Sequence, residues 1–343
     1  MRHLLNSLYV LTPESYLTLD GENVVIKIDG TEKARFPLHS LEQIISFSYM
    51  GASPALMGKC AEKQIEMSFY TQSGRFLTRV GSGACGNVLV RRTQYRIADD
   101  DEKSLKIAKN FIIGKLYNSR WVLERALRDH PLSVDVNSLK NVSSGLKQSI
   151  IAAQNCGDCD ELRGIEGEAA SRYFSVFDEL ILNKDDNFKF EMRSRRPPMN
   201  CVNALLSFAY SLLANNCANA LESVGIDPYV GMLHADRAGR KSLALDMMEE
   251  LRSVVADRFV ITGINNRIFT NKMFEKTESG AVLLNDVGRR AFLSAWKARR
   301  DEMIEHPFLE EKIPWGLVPF VQAQLLSRYF RGDVDNYPPF LWK

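Results

Sequence analysis

Cysteine is scarce in this 343-residue chain, and what there is lies scattered. Six cysteines stand at Cys60, Cys85, Cys156, Cys159, Cys201 and Cys217. They do not make a disulfide framework, and reduced thiols fit a cytoplasmic protein. Only Cys156 and Cys159 form a C-x-x-C. A structural zinc site normally needs a second such pair or paired histidines, so two ordinary thiols near a helix end are expected here. Excess charge is also lacking: 44 basic residues meet 42 acidic ones, a formal net charge of +2. In bulk, that balance argues against a protein that coats polyanions, although it leaves local patches open. Met1 to Asn6 have neither a long apolar core nor a small-residue cleavage site, so no signal peptide is expected. The one long uncharged stretch, Pro197 to Leu221, contains Asn200, Asn203, Asn215, Asn216 and Asn219. That much amide is costly in lipid, and a buried helix of a soluble protein is the expectation. Internal repeats and low-complexity tracts are missing too.

What is present is an ordinary globular mixture, 45% hydrophobic and 25% charged, long enough for one large domain or two average ones. The first hundred residues read as strands. Val24 to Ile28 is β-branched and ends at Asp29-Gly30, a hairpin-type turn. Glu42 to Tyr49 and Ile65 to Tyr70 read likewise, and Gln72-Ser73-Gly74 turns into a strand over Arg75 to Val80. Ser53 to Lys63 lacks the alternation and predicts a short helix. After Asp99-Asp100-Asp101, acids suited to a helix start, helical spacing takes over at Ile107, Phe111, Leu116, Val122 and Leu127. Further helices are expected at about 138–153, 161–181, 198–220, 242–257, 280–300 and 315–330. The fold class is therefore α+β: a small N-terminal β-rich domain, 1–97, followed by a larger all-helical domain, 98–343.

The basic residues are segregated. Met67 to Ala98 contains no acid but carries Arg75, Arg79, Arg91, Arg92 and Arg96, with Tyr70, Phe76 and Tyr95 among them. Arg289 to Arg300 is also acid-free and carries Arg289, Arg290, Lys297, Arg299 and Arg300 around Phe292 and Trp296. A third cluster, Arg193, Arg195 and Arg196, precedes Pro197-Pro198. Cations beside aromatics suit phosphate backbones and unstacked bases. Each patch alone reads equally well as a solvated face or an ion-pair network. Together the three favour a polyanionic partner.

Three further segments carry chemistry. Glu166 lies between Gly164 and Gly167, read as near a helix start, where a carboxylate also suits the helix dipole. His234, one of five histidines, follows apolar residues and precedes the basic, glycine-containing loop to Arg240; a packing role is the alternative. Ser242 suits a helix cap, and Asp246, Glu249 and Glu250 then share a helix face, with Leu245, Met248 and Leu251 toward the core and Arg252 as a partner. Combined, Glu166, His234 and Glu249 offer two oxygens and one nitrogen, a set suited to Mg²⁺ or Mn²⁺.

These segments together carry a resemblance. Gly86-Asn87 through Arg91-Arg92 to Gln94-Tyr95, Gly164-Ile165-Glu166-Gly167, Arg195-Arg196-Pro197-Pro198, Asn203 to Tyr210, Leu233-His234 to Gly239-Arg240, and Ser242 to Glu249 resemble the CRISPR-associated integrases of spacer acquisition, the Cas-one family. The closing Tyr337 to Lys343 looks like the I-C branch. The resemblance spans nearly the whole chain. It implies a β domain followed by a helical catalytic domain, and a homodimer that joins the small Cas-two protein. It also implies double-stranded DNA, prespacer and repeat, as substrate. It assigns Glu166, His234 and Glu249 as catalytic metal ligands for Mg²⁺ or Mn²⁺, prefers Glu249 to Glu250 by register, and leaves Asp246 as an assisting acid. Arg91, Arg92, Arg193, Arg195, Arg196, Arg237, Arg240, Lys241, Arg289 and Arg290 are the expected DNA-binding residues. The implied reaction is metal-dependent transesterification with associated endonuclease activity. A DNA-capture scaffold and a metal-dependent repair nuclease are the competing readings. A near-neutral total would then hide an electropositive groove running past Glu166, His234 and Glu249.

Overall fold

The computed structural model describes residues 7–71, 76–80 and 88–343. The Gln72–Gly74 turn, Arg75, Cys85, Gly86-Asn87 and the first six residues lie outside the described residues.

The N-terminal part holds two sheets. Strands β1 (Ser7–Val10), β2 (Tyr16–Asp20), β3 (Asn23–Ile28), β4 (Thr31–Pro37) and β5 (Gln43–Ser46) are followed by helix α1 (Pro54–Glu62), then β6 (Glu66–Tyr70) and β7 (Phe76–Val80). β2-β3-β4 is an antiparallel meander; β1-β5-β6 pair in parallel, with β7 antiparallel on β6. Ile28 pairs with Thr31, so the β3–β4 loop is the two residues Asp29 and Gly30. Both have positive φ, 51° and 74°, as the twist of a two-residue hairpin demands. Ser53 caps α1 by accepting from the Leu56 amide at 3.2 Å.

Strand alternation decides what each face covers. Ile44 and Phe69 point into a small core with Leu17, Val24, Leu56 and Met67. Their neighbours Ile45 and Tyr70 point the other way, into the large core of the helical body. Phe47 stacks on Tyr70 and Phe208 across that boundary.

Residues 88–98 depart from the strand expectation. They form helix α2 (Val88–Ala98), with Val90, Gln94 and Ile97 buried at helical spacing. The Gln94 amide clamps the following body by donating to Asp227 O and accepting from Asp227 N.

The helical body is built on α3 (Asp101–Asp129), capped by Asp100 with Asp101 and Glu102 in its first turn. α4 (Val136–Asn155), α5 (Cys159–Ser175) and α7 (Ser242–Leu251) pack on it, and α6 (Cys201–Ser223) packs on α7. α6 is buried on almost all sides, and its asparagines are spent internally. Asn200 caps it, Asn203 binds Ser194 N and Met192 O, and Asn215 donates to Ser68 and Glu66 of the sheet. Among the described residues no helix is long and apolar enough to cross a membrane.

Two expected helices are shorter than their patterns suggested. The one over 242–257 ends at Leu251, passes through a π segment (Arg252–Asp257) and resumes as α8 (Arg258–Asn265). The one over 280–300 begins only at Asp286. Thr277 to Gly280 forms a turn, β8 (Phe274–Lys276) pairs with β9 (Val282–Leu284), and Asn285 caps α9 (Asp286–Asp301). A second hairpin, β10 (Met303–Glu305) with β11 (Lys312–Pro314), precedes α10 (Val318–Arg331). The body is thus helical with two small hairpins, rather than wholly helical.

Candidate active site

Glu166 is the eighth residue of α5, mid-helix, and not near its start; Asp158 caps that helix two turns earlier by accepting from Glu161 N. A side chain at Gly164 or Gly167 would meet no atom within 4 Å, so the helix face on either side of Glu166 is open.

His234 sits on the loop that enters α7. Gly231 opens this loop where a Cβ would approach His234 O to 2.5 Å and Ser242 Cβ to 2.7 Å, so only glycine fits. Ser242 is the first residue of α7 rather than its cap, and its hydroxyl donates to Ala235 O.

Asp246 organises the loop. It is fully buried. One carboxylate oxygen accepts from Met232 N (2.7 Å) and Leu233 N (3.0 Å); the other accepts from His234 N (3.1 Å) and His234 Nδ1 (2.5 Å). The imidazole therefore carries its proton on Nδ1 and presents Nε2 as a free lone pair. A carboxylate behind the ring in this way orients a metal-binding histidine and raises its basicity.

The acids expected to share one face of α7 separate. Glu249 is buried, with one oxygen on Arg252 at 2.6 Å and the other 2.7 Å from Lys115 Nζ. The same Lys115 ammonium bridges to Glu166. Burial pushes the Glu249 carboxyl up, but Arg252 and Lys115, with a smaller contribution from His234, outweigh it and hold the group well below the usual carboxylate range. Glu250 turns away. It accepts from Tyr337 Oη, Gln322 Nε2 (3.1 Å) and Phe340 N (2.8 Å), and so anchors residues 337–340 beneath α7. Leu245 is half-buried, while Met247, Met248 and Leu251 face the core.

The structure thus brings Glu166 and Glu249 to one buried cation, while His234 is held by Asp246 on the loop that enters α7. Lys115 is the residue that sequence reasoning missed. It occupies a core position of α3, among buried Phe111, Ile112, Leu116 and Ser119, and a charge on such a face requires a counter-charge. Among the described residues no three His, Cys, Asp or Glu side chains stand close enough as they are to hold an ion. The ammonium lies between the two carboxylates. The donor chemistry nonetheless fits a divalent cation: Glu249 Oε2 is buried with no well-aligned hydrogen bond, and His234 Nε2 is free. Cys156 and Cys159 are free thiols directed at the Ala153 and Met232 carbonyls.

The expected DNA-binding residues divide in two. Arg92, Arg195, Arg196, Arg237 and Arg290 are exposed, and Arg91 and Arg240 half-buried. Arg289 is only 7% exposed and is spent on Leu284 O and Asp286 within its own helix start, so it is not available to a polyanion. Arg193 is held by Asn203 and Ser207 and lies over the Tyr210 ring. Lys241 lies over the Phe76 ring, and burial lowers its pKa to about 8. These three serve the fold.

The family model for CRISPR associated protein Cas1 matches residues 8–298. The chain is 49% identical to CRISPR-associated endonuclease Cas1 1 of Chlorobaculum tepidum and 48% identical to CRISPR-associated endonuclease Cas1 2 of Rhodospirillum rubrum, in each case over all of both chains. Its fold is similar to a casposase bound to its integration product, with a TM-score of 0.85 at 22% identity over 98% of this chain and 94% of that one. It is also similar to a Cas1 protein from Thermotoga maritima, with a TM-score of 0.80 at 23% identity over 95% and 97%.

Proposed function

From the premise that this chain belongs to the CRISPR-associated Cas1 family, we propose that it is the integrase of CRISPR adaptation, and that Glu166, His234 and Glu249 are its metal-binding catalytic centre. The observation that carries the assignment is the convergence of Glu166 and Glu249 on one buried ammonium; Asp246, on the helix that bears Glu249, holds His234 by Nδ1 and leaves its Nε2 to a ligand.

The reaction is a transesterification. The 3′-hydroxyl of an incoming DNA end attacks a phosphodiester at the edge of a repeat. One P–O bond forms, the repeat's own P–O bond breaks, and the hydroxyl proton passes to the departing 3′-oxygen by way of solvent. Water in place of the hydroxyl gives endonuclease cleavage at the same site. Glu166, His234 and Glu249 would hold Mg²⁺ or Mn²⁺, which would supply positive charge to offset the negative charge developing at the reacting phosphodiester. Everything else is positioning. Asp246 fixes the imidazole tautomer, Arg252 keeps Glu249 ionised in a buried place, and the open face beside Gly164 and Gly167 gives DNA room to approach.

The substrate surface comprises the exposed Arg92, Arg195, Arg196, Arg237 and Arg290, with Arg91 and Arg240 at its margin. A homodimer of this chain, joined with a small Cas2 protein in the cytoplasm, forms the working assembly. A solved Cas6-RT-Cas1–Cas2 complex contains a chain of the same fold, with a TM-score of 0.81 at 23% identity over 98% of this chain and 36% of that one. Tyr337 to Lys343 supports placement in the I-C branch.

The test is strand transfer into a supercoiled plasmid carrying a repeat, with the Cas2 partner and a Mn²⁺ titration. Branched, joined DNA is the expected product. Full activity in Glu166→Ala or His234→Ala overturns the site. Indifference to Mn²⁺ favours a capture scaffold, and cleavage without joining favours a repair nuclease.

A further inference from the structure

Lys115 is placed where the family's chemistry has no obvious use for it. Its ammonium is the shared partner of both acids, on a side chain only 8% exposed. Glu249 is buried and Glu166 half-buried; without a cation between them the two carboxylates repel each other, and a buried ion pair that loses one member is strongly destabilised. A divalent ion held by the same two carboxylates needs that space.

Behind Lys115 lies a second, smaller feature. A cavity with room for about one water molecule is lined by Lys115, Tyr173, Arg252, Ser253 and Asp257 together with apolar side chains of α3, α4 and α5. The hydroxyl of Ser253 is buried without a hydrogen-bond partner, and that of Tyr173, also buried, turns toward Asp257 without a well-aligned bond. Asp257 is committed to Tyr210 at 2.5 Å and is fully buried beside them. The cavity borders the π segment Arg252–Asp257, whose wide turn directly follows the helix that carries Glu249. Such segments recur at functional sites because they displace side chains from the regular helical register. The cavity therefore offers the Lys115 ammonium acceptor oxygens other than the two carboxylates.

We propose that Lys115 is an internal stand-in for the divalent cation: it holds Glu166 and Glu249 together before the ion arrives and withdraws toward the Ser253–Tyr173 cavity when the ion binds. The inference rests on the metal-site reading given above. It makes Lys115 a positioning residue that keeps the site assembled and sets the threshold for loading.

The experiment uses the purified full chain, with Mn²⁺ alone as probe, read by isothermal titration and by thermal melting. Lys115→Met removes the competing cation. It is expected to bind Mn²⁺ roughly tenfold or more tightly than the parent, while its metal-free melting temperature falls by roughly 5 °C or more. Added Mn²⁺ restores the melting temperature, because the ion replaces the missing charge. Should the metal-free variant fail to fold, recovery of the fold by Mn²⁺ supports the exchange, and failure of that recovery overturns it. Ser253→Ala with Tyr173→Phe removes the withdrawal site and is expected to weaken Mn²⁺ binding while leaving the metal-free melting temperature within about 2 °C. Unchanged or weaker Mn²⁺ binding in Lys115→Met, with Glu249→Gln abolishing it, overturns the role of Lys115 and leaves the metal site standing. Equal Mn²⁺ binding in the parent and Glu249→Gln overturns the metal site itself, and this inference with it.

Discussion

Replacing Asp246 by asparagine conserves shape yet reverses half of the group's chemistry. The aspartate accepts four hydrogen bonds, two on each oxygen, from Met232 N, Leu233 N, His234 N and His234 Nδ1. Asparagine has one oxygen, and its amide nitrogen must face two donors in a fully buried site. Two hydrogen bonds to a charged acceptor are lost, worth roughly 1.5–3 kcal/mol each, and one neutral bond of about 1 kcal/mol is regained, so a stability loss of about 2–5 kcal/mol is expected. The better orientation keeps the oxygen on Met232 and Leu233. The amide nitrogen then donates to His234 Nδ1, the imidazole proton moves to Nε2, and the free lone pair disappears. Mn²⁺ affinity should fall about 10–100-fold, the usual cost of losing a carboxylate behind a ligating histidine. Urea unfolding followed by the fluorescence of the four tryptophans gives the first number, titration with Mn²⁺ the second, and imidazole nitrogen shifts the tautomer. A variant within about 0.5 kcal/mol of the parent, with its Nδ1 proton and its Mn²⁺ affinity intact, refutes the assignment of Asp246 as organiser of the site.

Glu166→Gln and His234→Ala should each reduce strand transfer and cleavage at least about 100-fold, measured on a plasmid substrate, because each removes a ligand from a three-ligand site. Burial pushes Glu250 from 4.5 up to about 7, so the stability tied to its neutral form is full below about 4.5 and is lost as pH rises through about 7. The loss is about 3 kcal/mol by linkage, and Glu250→Gln should flatten that part of the curve in urea unfolding at pH 5 and pH 8. Asp257, raised by burial to about 6, adds a fall of the same sign, whereas Glu249, held low, loses its contribution only in acid. The double change Arg91→Ala with Arg92→Ala should lower the salt dependence of DNA binding by up to about two phosphate contacts. Arg289→Ala should lower the melting temperature and leave that salt slope unchanged, since Arg289 is spent on Leu284 and Asp286.

Much of the architecture was legible because pattern and burial coincide. The β-branched runs alternate, Asp29-Gly30 makes its hairpin, and the acids before residue 102 cap α3. The asparagines of α6 marked a buried polar helix, and the structure shows each of the three discussed above employed. α2 was hidden because a Val-Leu-Val start with arginines reads as strand, although Val90, Gln94 and Ile97 already carry a helical period. The break at Leu251 was invisible because Val254, Val255 and Ala256 carry the apolar run on with no proline or glycine to mark a change. Glu166, His234 and Glu249 could be named from their motifs. Their relation could not, since it depends on Lys115 from α3, distant in sequence and unremarkable until its burial is seen. The separation of Glu249 from Glu250 was equally hidden, because Glu250 is claimed by residues 337–340.

That last grip bears on when, during synthesis, the activity can exist. Lys115, Glu166, His234 and Glu249 are all made well before Tyr337 and Phe340, and those late residues complete the grip on Glu250 that Asn118 of α3 begins. A nascent chain stalled before them carries every acid of the centre but leaves the buried Glu250 carboxyl short of two of its partners. A product truncated before Tyr337 should therefore lose stability and activity together.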